Sequence, residues 1–175
     1  MAKKDIEARN LMSSVEKEIT VLKSLDSPFV VKVYDSFNIT NDKNEEFIVI
    51  IMDYCEKGDL LTYALDQKFT SIIEKKKTVL DFLKGVKYLH DHNISHGDIK
   101  ADNILITNDL SCKLCDFGYC RTSIIAGEDA KNGTLYYAAP ELFVKGEFDT
   151  LKSDIWAIGV TLYSIFELTF PFKNG

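Results

Sequence analysis

The sequence predicts an α+β protein of two lobes, a small partial lobe of strands and one helix followed by a mainly helical lobe. Three observations predict it. The chain has 175 residues, the length of one ordinary domain with a single core. Its apolar and charged shares, 46% and 27%, belong to a globular chain rather than a disordered one. The hydrophobic period also changes along the chain, strand-like runs before Gly58 giving way to helical ones after it.

The first element is a helix. Ser13-Ser14-Val15-Glu16 offers a capping box, and Val15, Glu18, Ile19, Leu22 and Leu25 then keep helical spacing until Pro28 closes the region. Residues 29–37 read as a strand, 38–45 as a polar turn and 47–52 as a second strand rich in β-branched residues. Residues 71–90 carry one apolar face through Val79, Phe82, Leu83, Val86 and Leu89, which predicts a helix. Two short strand-like runs, 104–107 and 112–114, flank a turn at Asn108-Asp109. Residues 116–140 are irregular, and a segment of that length inside a compact domain is usually functional. Residues 153–168 are apolar nearly all round, which predicts a helix buried at the centre of the larger lobe.

Composition excludes several classes of function. With 27 acidic against 21 basic residues the net charge is −6, so no general positive field draws nucleic acid. Lys75-Lys76-Lys77 stands beside Glu74 in a helical pattern and reads as a solvated face. The longest apolar stretch, 155–166, is too short to span a bilayer, and no signal peptide opens the chain. A cytoplasmic protein without nucleic-acid or membrane partners is expected. Cys55, Cys112, Cys115 and Cys120 then read as reduced thiols. The Cys112/Cys115 pair lacks the second pair that a zinc site needs. The sequons at Asn38, Asn93 and Asn132 read as idle.

Chemistry concentrates in His96-Gly97-Asp98-Ile99-Lys100-Ala101-Asp102-Asn103, a loop between a helix and a strand pair. Eighteen residues after Asp98, directly after a strand, stands Asp116-Phe117-Gly118. Phosphoryl transfer needs this inventory: a carboxylate to orient a hydroxyl and receive its proton, oxygen ligands for magnesium, and a cation near the transferring phosphate.

In these motifs the sequence resembles the eukaryotic protein kinase family, serine/threonine type, along essentially the whole chain. The resemblance implies a two-lobed fold that uses ATP and Mg²⁺ to phosphorylate Ser or Thr hydroxyls of protein substrates. Asp98 matches the catalytic-loop aspartate, Asn103 and Asp116 the metal ligands, and Lys100 and Thr134 the residues approaching the γ-phosphate. Gly133-Thr134 through Ala139-Pro140-Glu141 is similar to the end of the activation segment, and Asp154 to the aspartate that anchors the catalytic loop. Glu18 matches the helix glutamate that pairs with a strand lysine, for which Lys4 is the candidate and Lys3 its rival. Met52 resembles the gatekeeper, Asp53 and Cys55 the hinge residues whose backbone meets adenine, and Asp59 the ribose-contacting acid. Leu60 and Leu105 are similar to the adenine floor. Val33, Leu22, Phe117 and His96 resemble a hydrophobic column joining the lobes.

Three departures qualify the resemblance. No glycine-rich phosphate loop precedes Lys4, and no helices follow the 153–168 segment, which leaves Glu141 without its family arginine. Residues 1–55 then form a partial small lobe with the hinge, open to a covering partner, and 56–175 a partial large lobe. Gly97 replaces an arginine, so the loop gains flexibility and segment phosphorylation at Thr122 or Ser123 loses an anchor. The alternative reading is a weak or inactive pseudokinase serving as a scaffold. A remoter one, from His-Gly-Asp, is a small-molecule kinase of the aminoglycoside or choline type, though such kinases lack the Gly-Thr…Ala-Pro-Glu segment.

Overall fold

The structure, a computed structural model, describes residues 12–122, 125–126 and 134–172. Lys3, Lys4, Ser123 and Gly133 lie outside the described residues.

Helix α1 (Met12–Ser24) starts one residue before the expected cap, so Ser13 lies within it. Val21 and Leu22 are buried with Leu25, while Glu16, Lys17, Thr20 and Lys23 face outward. The first strand, β1 (Val33–Thr40), begins four residues later than the 29–37 reading. The cause is a competing partner. The Val31 N–H donates to the Leu114 carbonyl at 2.9 Å and the Phe29 carbonyl accepts from the Leu114 N–H at 2.8 Å. Those backbone groups are therefore committed to the larger lobe. Strand β1 pairs antiparallel with β2 (Glu46–Met52), from Val33 opposite Met52 to Thr40 opposite Glu46. In the connecting turn the Asn41 side-chain oxygen accepts from the N–H groups of Lys43 and Glu45, and Asn44 takes the left-handed conformation.

The larger lobe opens with a short helix α2 (Leu60–Leu65), capped by the Asp59 carboxylate. Helix α3 (Ile72–Asp91) has Ser71 as N-cap, with Glu74 accepting from the Thr70 N–H, so the first turn is closed reciprocally. Its C-terminus turns through Asn93 in the left-handed conformation, and the Ile94 N–H returns to the Leu89 carbonyl. That turn aims the chain into the 95–103 loop. A 3-10 turn (Ala101–Asn103) leads into the hairpin β3 (Ile104–Ile106) and β4 (Cys112–Leu114). Farther on, β5 (Ile125–Ala126) pairs with β6 (Phe148–Asp149). Helix α4 (Thr150–Glu167) closes the order, capped by Asp149.

One core cluster runs from Leu22, Val30 and Val33 through Phe82, Leu89, Ile99, Ile106, Leu114 and Phe117 to Ile165. Helix α4 corrects the expectation of burial all round. Its Asp154, Ala157, Thr161, Ser164 and Ile165 face the core, but Ile155, Trp156, Tyr163 and Phe166 are exposed. On that face the Phe172 ring stacks 5.5 Å from Trp156, and Lys75 Nζ of α3 lies 5.3 Å from the Phe166 ring centre. No helix among the described residues is long and apolar enough to cross a membrane.

Candidate active site

The site forms around the 95–103 loop, which is fixed to Asp154 of α4 and meets Thr134 on one side and the end of β4 on the other. The Asp154 carboxylate accepts from the His96 N–H at 2.8 Å and the Gly97 N–H at 3.0 Å. His90, in the last turn of α3, donates to the same carboxylate from Nε2 at 2.9 Å. Sequence reasoning assigned His90 nothing; its signal was a basic side chain in a last helical turn. Asp154 is almost fully buried, and these charge-assisted bonds fix the loop to the helix.

His96 in turn orients the start of the 95–103 loop. Its Nδ1 accepts from the Asp98 N–H at 3.3 Å, so the proton sits on Nε2, which donates to the Cys115 carbonyl at 3.0 Å. Its ring lies 4.9 Å from Phe117. Leu22, Val33 and Phe117 belong to the one core cluster, and His96 is buried against the Phe117 ring.

Asp98 is the most heavily bonded carboxylate here. Its Oδ1 accepts from the Thr134 N–H and hydroxyl, both at 2.9 Å. Its Oδ2 accepts from Lys100 Nζ at 2.7 Å and from the Asn103 amide at 3.1 Å. Lys100 Nζ also reaches the Thr134 hydroxyl at 2.9 Å, closing a ring of three side chains. Burial pushes the Asp98 pKa up, but the bonds from Lys100 and Thr134 outweigh it and hold the carboxyl below its ordinary value. Burial pulls Lys100 down, and Asp98 more than reverses that. The two groups therefore stay oppositely charged across neutral pH.

Asn103 and Asp116 fit a hard divalent cation. The Asn103 amide nitrogen is spent on Asp98, leaving its oxygen without a donor among the described residues. Asp116 follows β4 in a left-handed conformation, φ 62°, and one carboxylate oxygen accepts from the Gly118 N–H at 3.4 Å, its one hydrogen-bond partner among the described residues. Among the described residues no three His, Cys, Asp or Glu side chains group to hold a metal. An amide oxygen, a carboxylate and waters are the donors magnesium prefers. The Asp116 charge is also felt at Glu18. Burial first, and Asp116 second, push Glu18 above its usual carboxylate range, against a lowering contact from the Phe117 N–H at 3.2 Å. Glu18 therefore lies towards Asp116, and its expected partner Lys4 lies outside the described residues.

The residues matched to nucleotide contacts are spread over the end of β2, the hinge, α2 and β3. Met52 ends β2 with its side chain partly exposed. Among the described residues the Cys55 N–H and the Asp53 carbonyl join no backbone hydrogen bond, whereas the Asp53 N–H is taken by the Lys32 carbonyl at 3.0 Å. Asp59 spends its carboxylate capping α2, through the Thr62 N–H at 2.8 Å and the Thr62 hydroxyl at 2.9 Å. Its backbone bridges to Leu105, which is half-buried, while Leu60 is wholly interior and serves as core. Cys115 is half-buried, and burial with the Asp116 charge raises its thiol to about 12, so it is a poor nucleophile. Glu141, expected to lack its family arginine, accepts from the Ser153 hydroxyl at 2.9 Å.

Gly97 stands in the left-handed region at a point of close approach. Its φ is +79°, and a Cβ there would sit 2.4 Å from the Tyr119 carbonyl oxygen. The glycine thus marks a close approach between the loop and the segment after Asp116. Beside it lies a cavity of about 40 Å³ bordered by Ser95, Asp98, Arg121, Thr134 and Tyr137.

The sequence pattern described as the protein kinase domain matches residues 1–175. Among curated proteins, the serine/threonine-protein kinase kin-29 of Caenorhabditis elegans is 32% identical over 169 residues, 95% of this chain and 20% of that protein. The serine/threonine-protein kinase cds1 of Schizosaccharomyces pombe is 33% identical over 168 residues, 91% of this chain and 35% of that protein. The chain thus spans a minor part of the length of these relatives.

Proposed function

Because the chain belongs to the protein kinase family, whose pattern covers residues 1–175, we propose that it transfers the γ-phosphate of ATP to Ser or Thr hydroxyls of protein substrates. The observation that carries this reading is the ring of Asp98, Lys100 and Thr134, joined to Asn103. A carboxylate held ionised beside an ammonium can orient a hydroxyl and take up its proton late, when the bond to phosphorus is well advanced. Phosphoryl transfer, with its loose transition state, asks for that positioning more than for a strong base. Lys100 offsets negative charge developing on the transferring group, and Thr134 keeps Asp98 and Lys100 at fixed separation. Asn103 and Asp116 would hold Mg²⁺, which supplies counter-charge to the phosphates. Residues 1–55 would supply the small lobe and the hinge, with Met52, Asp53, Cys55 and Leu105 at the adenine edge and Asp59 near ribose. Lys4, paired with Glu18, would meet the α- and β-phosphates.

The test separates binding from chemistry. Mg²⁺-ATP should raise the melting temperature of the wild-type chain, and Asp116→Ala should abolish that rise. Asp98→Asn should leave the rise intact and lower phosphotransfer to a generic protein substrate by about 10²- to 10⁴-fold. Equal shifts for wild type and Asp116→Ala, with and without Mg²⁺, would refute the metal assignment. Nucleotide binding without any wild-type transfer would favour the scaffold reading.

A further inference from the structure

Asp53 is matched to the hinge for its backbone, yet its side chain is where three chain segments meet. Its Oδ1 accepts from the Tyr34 hydroxyl at 2.6 Å, and its Oδ2 from the Lys32 N–H at 2.9 Å. Oδ2 also pairs with Lys113 Nζ at 2.8 Å. Lys32 and Tyr34 flank the start of β1, Asp53 follows β2, and Lys113 lies on β4 of the larger lobe, three residues before Asp116. The carboxylate thus ties the small-lobe hairpin and the hinge to the strand that delivers Asp116.

The placement is that of a latch rather than of glue. The pairing of Phe29 and Val31 with Leu114 already joins the lobes through backbone bonds and acts as a pivot. Asp53 adds side-chain bonds beside that pivot and so fixes the angle of the hairpin about it. The Asp53 and Lys113 side chains are 15% and 20% exposed, dry enough for the pair to count and wet enough for solvent to replace it. The Tyr34 ring stays exposed while its hydroxyl is held. Bonds of this kind break and re-form at small cost, whereas a fully buried pair would not.

We propose that Asp53 is a positioning residue whose side chain, with Lys113 and Tyr34, latches the hinge to strand β4 and sets how far the nucleotide cleft opens. Its bearing on nucleotide rests on the function proposed above; its bearing on the hinge does not.

The experiment monitors the nucleotide-free chain by amide hydrogen exchange and then measures release of a fluorescent ADP in the presence of Mg²⁺. The variants are Lys113→Met, Asp53→Asn, their double, the charge-swapped pair Asp53→Lys with Lys113→Asp, and Tyr34→Phe as the mildest change. Either single variant at the ion pair should speed exchange over residues 53–58 by about three- to tenfold, with α4 unchanged. The double should be no worse than the worse single, the swap should recover part of the protection, and ADP release should quicken in parallel. Hinge exchange that responds in a chain unable to bind ADP still supports the latch and counts against the nucleotide reading alone. Unchanged hinge exchange in both singles and in Tyr34→Phe, strictly additive effects in the double, or acceleration spread equally into α4 would overturn the proposal.

Discussion

Gly97 gives the sharpest quantitative expectation, because two separable costs fall on one added methyl group. The first is conformational. At φ +79° an L-residue pays about 1–2 kcal/mol that glycine does not. The second is steric. The added Cβ would lie 2.4 Å from the Tyr119 carbonyl oxygen and 3.1 Å from its carbon, which are backbone atoms and cannot rotate away. Forcing such a contact costs about 1–3 kcal/mol in shifted backbone. Gly97→Ala should therefore lose about 2–5 kcal/mol, a fall in melting temperature of about 4–20 °C for a chain of this length. Gly58→Ala is the internal control. Gly58 has φ +75° with nothing within 4 Å of its added Cβ, so it isolates the conformational share at about 1–2 kcal/mol. Thermal unfolding monitored by circular dichroism on the three proteins, at one concentration and pH, reads the difference directly. If Gly97→Ala loses no more than Gly58→Ala, the contact with Tyr119 is not limiting and the reasoning fails. The same geometry governs Gly97→Arg. An arginine at this position cannot be regarded as a restored phosphate anchor, because it would first have to displace the Tyr119 backbone. A phosphate on Thr122 would look instead to Arg121, which borders the same cavity.

The charge on Glu18 and the exposure of the small-lobe hairpin give two further expectations. Glu18 has a raised folded pKa, so the stability it contributes is present below its ordinary value of 4.5 and is lost as pH rises through the folded value. Glu18→Gln should therefore melt higher than wild type at pH 7 in metal-free buffer, with the gap closing below pH 4.5; no gap, or one of opposite sign, would show that a cation such as Lys4 meets the carboxylate. Among the described residues the sheet of β1 and β2 has two strands, with Tyr34, Phe37, Ile39 and Ile51 exposed, and it should exchange its amide protons at least about tenfold faster than the centre of α4. Equal protection in hydrogen-exchange mass spectrometry would contradict that, and a partner lying over the hairpin would slow it.

What the sequence disclosed and what it withheld divide along one physical line. Helices α1, α3 and α4 and strands β2, β3 and β4 declare themselves because their apolar period is set by neighbours a few residues away. The six residues of α2 and the two each of β5 and β6 are too short to show a period. The start of β1 fails for a different reason, since residues 29–31 have strand propensity but spend their backbone on Leu114, more than eighty residues ahead. The site divides the same way. Asp98, Lys100 and Asn103 fall within six positions, so their chemistry is legible in one loop, and Thr134 joins them through contacts that the motif already implies. The work of the Asp53 side chain is invisible, because Lys113 lies sixty positions away and nothing in either residue's neighbourhood calls for the other. His90 and Asp154 meet across a comparable gap. Gly97 was legible as a missing arginine but not as a necessary glycine, because the Tyr119 carbonyl that excludes a side chain belongs to another segment. Local motifs thus identify the atoms offered to a ligand, while the side chains that hold those atoms in place are chosen by tertiary contact. Any substitution that spares the motifs but touches Asp53, Lys113, His90 or Gly97 should for that reason act on the geometry and stability of the site before it acts on its chemistry.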